Sequence, residues 1–285
     1  MSVADDDPAL PMLRFVPVDA LVPHEDHDEQ RMAPLVRRLR EQGMLRNPPI
    51  VAPLPDAGPA HPLWVVLDGA NRASAARAAG LAHIVVQIVP YEDPEVLLTT
   101  WSHAFTELDR DTFEQRCAAL PGLTLRHEPL LRARAALARR ELLAYIAWAD
   151  QCVTVLQGGG SLPERNRLLH AIVGLYRGAR YFRAPNDALE RVRARHPEVT
   201  GLIVFPHFEP AEVLELATAG ERLPAGITRH LIRWRALRVN VPIAVLADSE
   251  TTLEQKNRWL DEWLADLLAG RHVRYYAEPT VVFDE

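Results

Sequence analysis

Two short segments hold the side chains of this chain that are best suited to chemistry. The first, residues 24–31, is rich in acidic and imidazole groups and begins with His24 and Glu25. Neighbouring negative charge favours the protonated form of a carboxylate, so Glu25 is a candidate general base, although a solvated acidic loop has the same composition. The second is the step Asp68 to Gly69, at the end of an apolar run. Together they predict a proton-accepting carboxylate near a turn that can hold a phosphate.

The turn after Asp68 lies between two predicted elements. Residues 63–67 are typical of a β-strand, and the alanine-rich stretch that follows predicts a helix. The free N–H groups and the positive dipole end of such a helix favour a bound anion. Asn71 can cap the helix, and Arg72 can reach back over the turn, either to an anion or to Glu25 or Asp68. Turn capping alone explains the Asp-Gly step equally well.

A second turn rich in Pro and Gly repeats this theme near the end of the chain. Thr228, Arg229 and His230 follow Gly226 directly. The pattern predicts that a hydroxyl, a guanidinium and an imidazole stand in the first turn of a helix. Two such turns in one chain are better evidence for a phosphate site than either turn alone.

Three other features have a weaker chemical interpretation. Trp101 and His103 offer an aromatic wall for a small substrate, although a core tryptophan is an equally good interpretation of Trp101. The glycines at 158–160 precede a helix start without an adjacent lysine, which favours a flexible turn over a nucleotide loop. Lys256 is the only lysine, and its position excludes a P-loop and a protein-kinase strand lysine.

Metal and redox chemistry have little support in the sequence. His24, His27 and Asp28 are close together, but no two of them lie at the i, i+4 spacing of metal ligands within a predicted helix. Cys117 and Cys152 are far apart and form no Cys-x-x-Cys pair, so both are predicted to be small buried hydrophobic residues.

Composition limits the class of protein. The 285 residues are 48% hydrophobic, enough for a sizeable core, and the net charge is −6. An acidic balance argues against a protein that coats nucleic acid, so nucleic acid is an improbable partner. There is no long apolar run and the N-terminus is acidic, which predicts a cytoplasmic chain with no membrane span and no secretory signal. The oligomeric state stays open, a homodimer included.

The chain is predicted to be an α/β (α+β) protein in two regions. Residues 1–11 read as a disordered tail and 12–104 as a compact α/β nucleotide-binding domain. Within it, 13–18 and 83–89 are typical of strands, and apolar spacing predicts an amphipathic helix over 29–42.

The second region, 105–285, alternates helices and strands and is expected to pack against the first and complete the active site. Residues 128–148 are predicted to be rich in helix. A buried strand over 201–206 is followed by a helix over 209–219.

The order of these motifs resembles the ParB/sulfiredoxin superfamily, and within it the kinases that phosphorylate free L-serine. Most of the chain takes part in the resemblance. The motifs of the first region are His24-Glu25, Asp28, Arg31, residues 43–49 and residues 67–72 with the helix that follows. Those of the second region are residues 181–183, 201–206 and 224–230. The motifs of the first region are common to the whole superfamily. The segment Gly226 to His230 is the one that narrows the resemblance to the free L-serine kinases.

The resemblance implies a fold, a reaction and roles for named residues. It implies a ParB/sulfiredoxin-like N-terminal domain and a phosphotransferase that makes O-phospho-L-serine from L-serine with ATP or ADP as donor. Glu25 would take the proton of the serine hydroxyl, and Asp68 would help to hold Mg²⁺. The nucleotide phosphates would lie on Gly69, Ala70, Asn71, Arg72, Thr228, Arg229 and His230. The residues near the amino acid would be His24, Trp101 and His103.

The chain departs from the family pattern in places. Ala70 and Asn71 stand where some members carry histidines, and Arg38 or Arg46 would have to replace a lysine expected after Glu25. Sulfiredoxin chemistry needs a cysteine in the phosphate turn, and Ala70 offers no nucleophile.

A ParB-like protein that binds DNA or regulates transcription in response to a nucleotide is the alternative from another class. The basic residues between Arg229 and Arg238 would be its contact patch. The acidic net charge argues against it, as does a second region with no obvious helix-turn-helix. Salt-sensitive DNA binding without turnover of free serine would distinguish it from a kinase.

Overall fold

The computed structural model describes residues 10–26, 41, 43–55 and 62–276. Six strands lie in the described residues up to position 90: β1 (Leu13–Pro17), β2 (Leu21–Pro23), β3 (Met44–Leu45), β4 (Ile50–Pro53), β5 (Trp64–Asp68) and β6 (His83–Ile88). Five of them form one sheet in the order β1, β6, β4, β5, β2. The helix predicted over 29–42 falls almost wholly outside the described residues.

The strand, turn and helix predicted around Asp68 are confirmed. β5 ends at Asp68, and helix α1 (Ala70–Ala78) begins directly after Gly69. β2 runs parallel to β5, with Pro23 opposite Val66. Residues that follow these two strands therefore emerge at the same edge of the sheet, which brings Glu25 and Asp68 to neighbouring positions.

The described chain after β6 contributes a larger sheet and two short ladders. Its strands are β7 (Val96–Thr100), β8 (Ser102–Phe105), β9 (Thr124–His127), β10 (Ala144–Trp148), β11 (Val153–Gln157), β12 (Tyr181–Ala184), β13 (Gly201–Val204), β14 (Thr228–Ile232) and β15 (Val241–Pro242). The six-stranded sheet has the order β12, β8, β13, β10, β11, β9. β14 pairs with β7, and β15 pairs with β3.

Seven more helices follow α1 in the described part of the chain. They are α2 (Arg110–Ala118), α3 (Leu130–Ala138), α4 (Leu162–Leu175), α5 (Leu189–Arg193), α6 (Pro210–Thr218), α7 (Ile243–Ala247) and α8 (Leu253–Ala269). The predictions for 201–206 and 209–219 are confirmed by β13 and α6. None of these helices has both the length and the apolar character needed to cross a bilayer.

The helix-rich prediction for 128–148 is wrong over its second half. Helix α3 ends at Ala138, and Ala144–Trp148 form β10 in the middle of the larger sheet. All five residues of β10 are buried, and a short run that is apolar on every face has no period to distinguish a strand from a helix. Residues 144–148 form a strand because they pair with β11 and β13.

The end of the chain returns to the first sheet. Leu246 of α7 and Leu260 of α8 are fully buried in the same apolar cluster as Phe15 of β1 and Val85 of β6. β8, however, lies in the larger sheet although it precedes residue 105. The two regions predicted from the sequence therefore interlock, and the boundary at 104 stays a prediction.

Lys256 of α8 connects this C-terminal part to the first sheet through its contacts. Its ammonium group is buried and donates to the Asp248 carbonyl and to the Leu246 carbonyl at 3.4 Å, with the His83 Nδ1 at 3.1 Å. Burial lowers the pKa of Lys256, and the charge of Asp248 opposes that shift. The ammonium thus supplies hydrogen bonds to carbonyls near the end of α7.

Lys256→Met should destabilise the protein by about 1–3 kcal/mol, because buried carbonyls lose their donor. Arg258→Met is the matched control. Arg258 pairs with Glu254 on the exposed face of the same helix, where an ion pair contributes less than about 1 kcal/mol. Urea unfolding of both variants measures the difference, and equal midpoints would show that the Lys256 contacts are dispensable.

Candidate functional site

The carboxylate of Glu25 is held by a segment from the far end of the chain. Its Oε2 accepts the Gly226 N–H at 2.9 Å, and its Oε1 accepts the Thr228 N–H at 2.6 Å. The Thr228 hydroxyl also donates to Oε1. Leu223 pairs with Glu25 in a parallel bridge that aligns the two segments. Three donors therefore fix one carboxylate, which gives it a defined position at the edge of the first sheet.

The backbone at Gly226 has a conformation that suits glycine. Its φ is +79°, in the left-handed region, and an added Cβ would lie 2.2 Å from the Arg183 Nε. The Gly226 carbonyl accepts from the ring of His103 at 2.9 Å. The absence of a side chain thus allows the close approach of Arg183 and aims the Gly226 N–H at Glu25.

The segment after Gly226 is a strand, so the helix predicted there is wrong. Thr228–Ile232 form β14 and pair antiparallel with β7, Thr228 opposite Thr100. Successive side chains of a strand point to opposite faces. Thr228 and His230 are accordingly buried, whereas Arg229 lies on the other face with its guanidinium 4.3 Å from the Trp101 ring centroid. The three residues do not converge on one point as helix geometry implied.

His24 and His230 form a buried cluster behind Glu25. The His24 Nδ1 contacts the Val66 carbonyl, and its Nε2 lies 2.7 Å from the Thr228 hydroxyl. The His230 ring crosses that of His24 at right angles, with centroids 5.1 Å apart, and its Nε2 lies 2.8 Å from the Tyr91 hydroxyl. Both nitrogens of His24 are engaged inside the protein. His24 therefore supports Glu25 from behind, which does not match the direct substrate contact expected of it.

His103 likewise does not match a direct substrate contact. Its ring is fully buried, with Nδ1 2.9 Å from the Tyr176 hydroxyl and Nε2 bonded to the Gly226 carbonyl. Burial lowers the pKa of His103 to about 4, against the opposing hydrogen bond to Gly226. The ring is neutral at pH 7, and it positions the loop that holds Glu25.

Stability should fall as the pH falls from about 7 to 5. Burial, followed by the charge of His24, lowers the pKa of His230 to about 3, and that of His103 is about 4, against 6.5 for free histidine. Below pH 6.5 the unfolded chain binds protons that the folded chain excludes, at about 1.4 kcal/mol per histidine and pH unit. Urea unfolding at pH 7, 6 and 5 tests this, and a free energy of unfolding that is constant over this range would contradict it.

The Asp68 carboxylate lies between two guanidinium groups. The Arg72 Nη2 donates to its Oδ2 at 3.2 Å, and Arg235 donates to the same oxygen. Burial raises the pKa of Asp68, but the two arginines more than offset this, and the net shift is downward. Arg72 also donates to the Asn47 carbonyl at 2.8 Å. The salt bridge from Arg72 to Asp68 considered from the sequence is confirmed, and Asp68 is ionised.

Gly69 is the second position where glycine is needed. Its φ is +85°, and a Cβ there would lie 2.9 Å from the Arg72 Nη2, which folds back over the turn. No side chain caps the start of α1, and its first turn contains no acidic residue. The turn from Gly69 through Ala70 and Asn71 to Arg72 keeps the N-terminal dipole end that favours an anion.

Comparison with known proteins identifies relatives over nearly the whole chain, although no protein-family model matches it. The ATP-dependent L-serine kinase SbnI of Staphylococcus aureus is 24% identical over 279 residues, 96% of this chain and 97% of SbnI. An ATP-dependent L-serine kinase of Staphylothermus marinus is 33% identical over 87 residues, 30% of this chain and 33% of that protein. These relatives bear out the resemblance of the chain to the free L-serine kinases.

Solved structures share the fold of this chain. A free serine kinase in complex with AMP has a TM-score of 0.70 at 19% identity, over 86% of this chain and 98% of that one. A C-terminally truncated SbnI from Staphylococcus aureus has a TM-score of 0.68 at 21% identity, over 90% and 97%. The mixed α/β architecture expected from the sequence is confirmed.

Sequence reasoning missed three residues next to the candidate site. It assigns no role to Tyr91 or Arg183, and it considers Arg235 only as part of a DNA-contact patch. Arg183 could have been suspected from its place in the segment 181–183, which carries the family resemblance. Among the described residues, the guanidinium groups of Arg183 and Arg229 have no carboxylate within ion-pair distance, so both are candidates for anion binding.

The basic patch of the DNA-binding alternative is not a recognition helix. Its first residues form β14, Arg233 pairs with Glu95, and Arg235 pairs with Asp68. Arg233 and Arg235 are thus engaged within the protein. His27, Asp28 and Arg38 lie outside the described residues.

Proposed function

We propose that this chain transfers the terminal phosphoryl group of ATP or ADP to the hydroxyl of free L-serine, giving O-phospho-L-serine, with Glu25 as general base. The observation that carries this proposal is the fixation of Glu25 by Gly226 and Thr228. One oxygen, Oε2, accepts a single backbone N–H in the described structure, which leaves a lone pair for a substrate hydroxyl. The names of the relatives support serine as the acceptor.

Most of the work in phosphoryl transfer is alignment and charge neutralisation. In the proposed reaction the serine Oγ–H proton moves to Glu25 as the oxygen lone pair bonds to phosphorus. The bond from phosphorus to the leaving nucleotide oxygen breaks, and its electron pair stays on the nucleotide. Glu25 keeps the proton during the transfer and returns it to solvent afterwards.

The nucleotide phosphates are proposed to lie on the turn formed by Gly69, Ala70, Asn71 and Arg72. Support comes from the uncapped start of α1 and from the Arg72 guanidinium folded over the turn. Arg229, stacked on Trp101, is proposed to neutralise an anionic group of the nucleotide or the amino acid, and Trp101 to line the serine site. Thr228 and His230 act from behind Glu25, because both are buried.

Asp68 is compatible with a Mg²⁺ site. Mg²⁺ is commonly held by one or two carboxylates together with the phosphates of the substrate. Asp68 is ionised and lies at the same edge of the sheet as Glu25. Among the described residues, no cluster of three metal-binding side chains exists. A Mg²⁺ ion carried by the nucleotide would therefore have Asp68 as its protein ligand and would neutralise charge on the transferred group.

Phosphorus NMR of the purified protein with Mg²⁺ and L-serine tests the proposal, with ATP and with ADP in separate samples. A new phosphoserine signal would establish the reaction and identify the donor. Glycine in place of serine is the control, because it lacks the hydroxyl and should leave the nucleotide intact. Nucleotide binding without a phosphoserine signal from either donor would contradict the proposed function.

A further inference from the structure

Three polar groups stand in series behind the proposed base. The His24 Nε2 lies 2.7 Å from the Thr228 Oγ1, and the same Oγ1 is hydrogen-bonded to the Glu25 Oε1. The other nitrogen of His24, Nδ1, faces the Val66 carbonyl oxygen. A carbonyl only accepts, so the Nδ1 of His24 carries a hydrogen. In the neutral ring Nε2 is consequently an acceptor that faces the Thr228 hydroxyl.

The hydrogen bonds that link His24, Thr228 and Glu25 need one more hydrogen than these groups supply. When the His24 ring is neutral, the Thr228 hydroxyl has a single hydrogen and faces two acceptors, the imidazole Nε2 and the Glu25 carboxylate. The carboxylate receives it, because hydrogen bonds to ionised acceptors are the stronger ones. Thr228 and His24 are both buried, with exposed fractions of 6% and 4%, so bulk water cannot act as a substitute partner.

No other described group competes for this hydrogen. His230 is the next ring, but its Nε2 is already opposite the Tyr91 hydroxyl. The Thr228 backbone N–H is fixed on Glu25 and stays there whichever way the hydroxyl turns. The hydroxyl hydrogen therefore has two positions, one toward Glu25 and one toward His24.

We propose that the Thr228 hydroxyl is a two-position switch that couples His24 to the proton transfer at Glu25. This inference rests on the proposed function. Before transfer the hydroxyl donates to the ionised Glu25 Oε1. When Oε2 takes the serine proton, Glu25 becomes neutral and a weaker acceptor, and the Thr228 hydrogen turns to the His24 Nε2. Only the Thr228 hydrogen turns, and no proton leaves Glu25 by this route.

The switch makes His24 a positioning residue. Without His24 the hydroxyl has no second acceptor, so protonation of Glu25 weakens one hydrogen bond without forming another. Substrate binding does not involve this change, because Glu25 is still ionised in the bound complex. The effect should therefore fall on kcat and leave the KM for serine and the nucleotide affinity largely unchanged.

Two pairs of variants test the switch in the full-length protein. Thr228→Val removes the hydroxyl at constant shape and His24→Leu removes the acceptor, and each should lower kcat about 10- to 100-fold. Thr228→Ser and His24→Gln keep the polar groups and should restore most of kcat. The double variant Thr228→Val with His24→Leu should be no slower than the slower single variant, because both break one series.

The outcomes separate this inference from the proposed function. If the wild type makes no phosphoserine, the proposed function fails and the switch fails with it. If the wild type is active and both apolar variants keep kcat, or lose it with a matching rise in KM, the switch alone is wrong. Should the variants not fold, nitrogen NMR of wild-type His24 decides, because a hydrogen on Nε2 with none on Nδ1 would overturn the assignment.

Discussion

Glu25→Gln should lower kcat for serine phosphorylation about 10²- to 10⁴-fold, the usual contribution of general base catalysis. The amide keeps the shape of the side chain and an acceptor oxygen for the 226–228 segment, but it cannot take a proton from serine. Nucleotide affinity should change little, because Glu25 is bonded to Gly226 and Thr228 rather than to the turn at Gly69. Steady-state kinetics and calorimetric titration with nucleotide measure the two quantities.

Asp26→Asn is the matched control for Glu25→Gln. It removes one negative charge at the next residue, where the carboxylate lies 3.6 Å from the His170 Nδ1 and 3.8 Å from Arg177. A general electrostatic effect would slow both variants to a similar degree. Loss of kcat in Glu25→Gln alone supports a base at this position, and full activity of Glu25→Gln would exclude it.

Gly226→Ala should reduce kcat by at least about 10²-fold, because a misplaced catalytic group commonly costs this much. The new Cβ would lie 2.2 Å from the Arg183 Nε, so the loop or Arg183 must move. Any such movement displaces the N–H that donates to the Glu25 Oε2. Kinetics on the folded variant, with circular dichroism as a check on the fold, measures the effect.

Gly220→Ala separates the local role of Gly226 from backbone strain. Gly220 also has a left-handed φ, +72°, but a Cβ there meets nothing within 4 Å. This control should lose about 1–2 kcal/mol of stability from the left-handed backbone and keep its kcat. If Gly226→Ala loses stability by the same amount and keeps kcat as well, the approach of Arg183 to Gly226 has no part in catalysis.

Several elements were predictable because their signals are local. β5, the Gly69 turn and α1 follow each other within a short stretch, and each has its own marker: an apolar run, a glycine, then alanines. Helix α6 was similarly marked by Pro210 at its start and Gly220 after its end. Such signals depend on neighbours in the chain and remain valid whatever the rest of the protein does.

β14 shows where local signals stop. The Pro/Gly turn before Thr228 is compatible with either a helix or a strand after it. The segment forms a strand because it pairs with β7, about 130 residues away in the chain. This choice matters for the site. It places Thr228 and His230 on the buried face and Arg229 on the face of Trp101, where helix geometry would have grouped them.

The sequence by itself indicates candidate residues for the chemistry: Glu25, the turn from Asp68 to Arg72 and the segment after Gly226. Residue type and the adjacent turn signals are sufficient for that. Tertiary structure decided their partners, because Glu25 meets Gly226 at a separation of 201 residues. It also places His24 and His103 in buried positions, where the sequence predicted substrate contacts. Burial and hydrogen-bond geometry depend on how distant segments pack, and no local pattern encodes them.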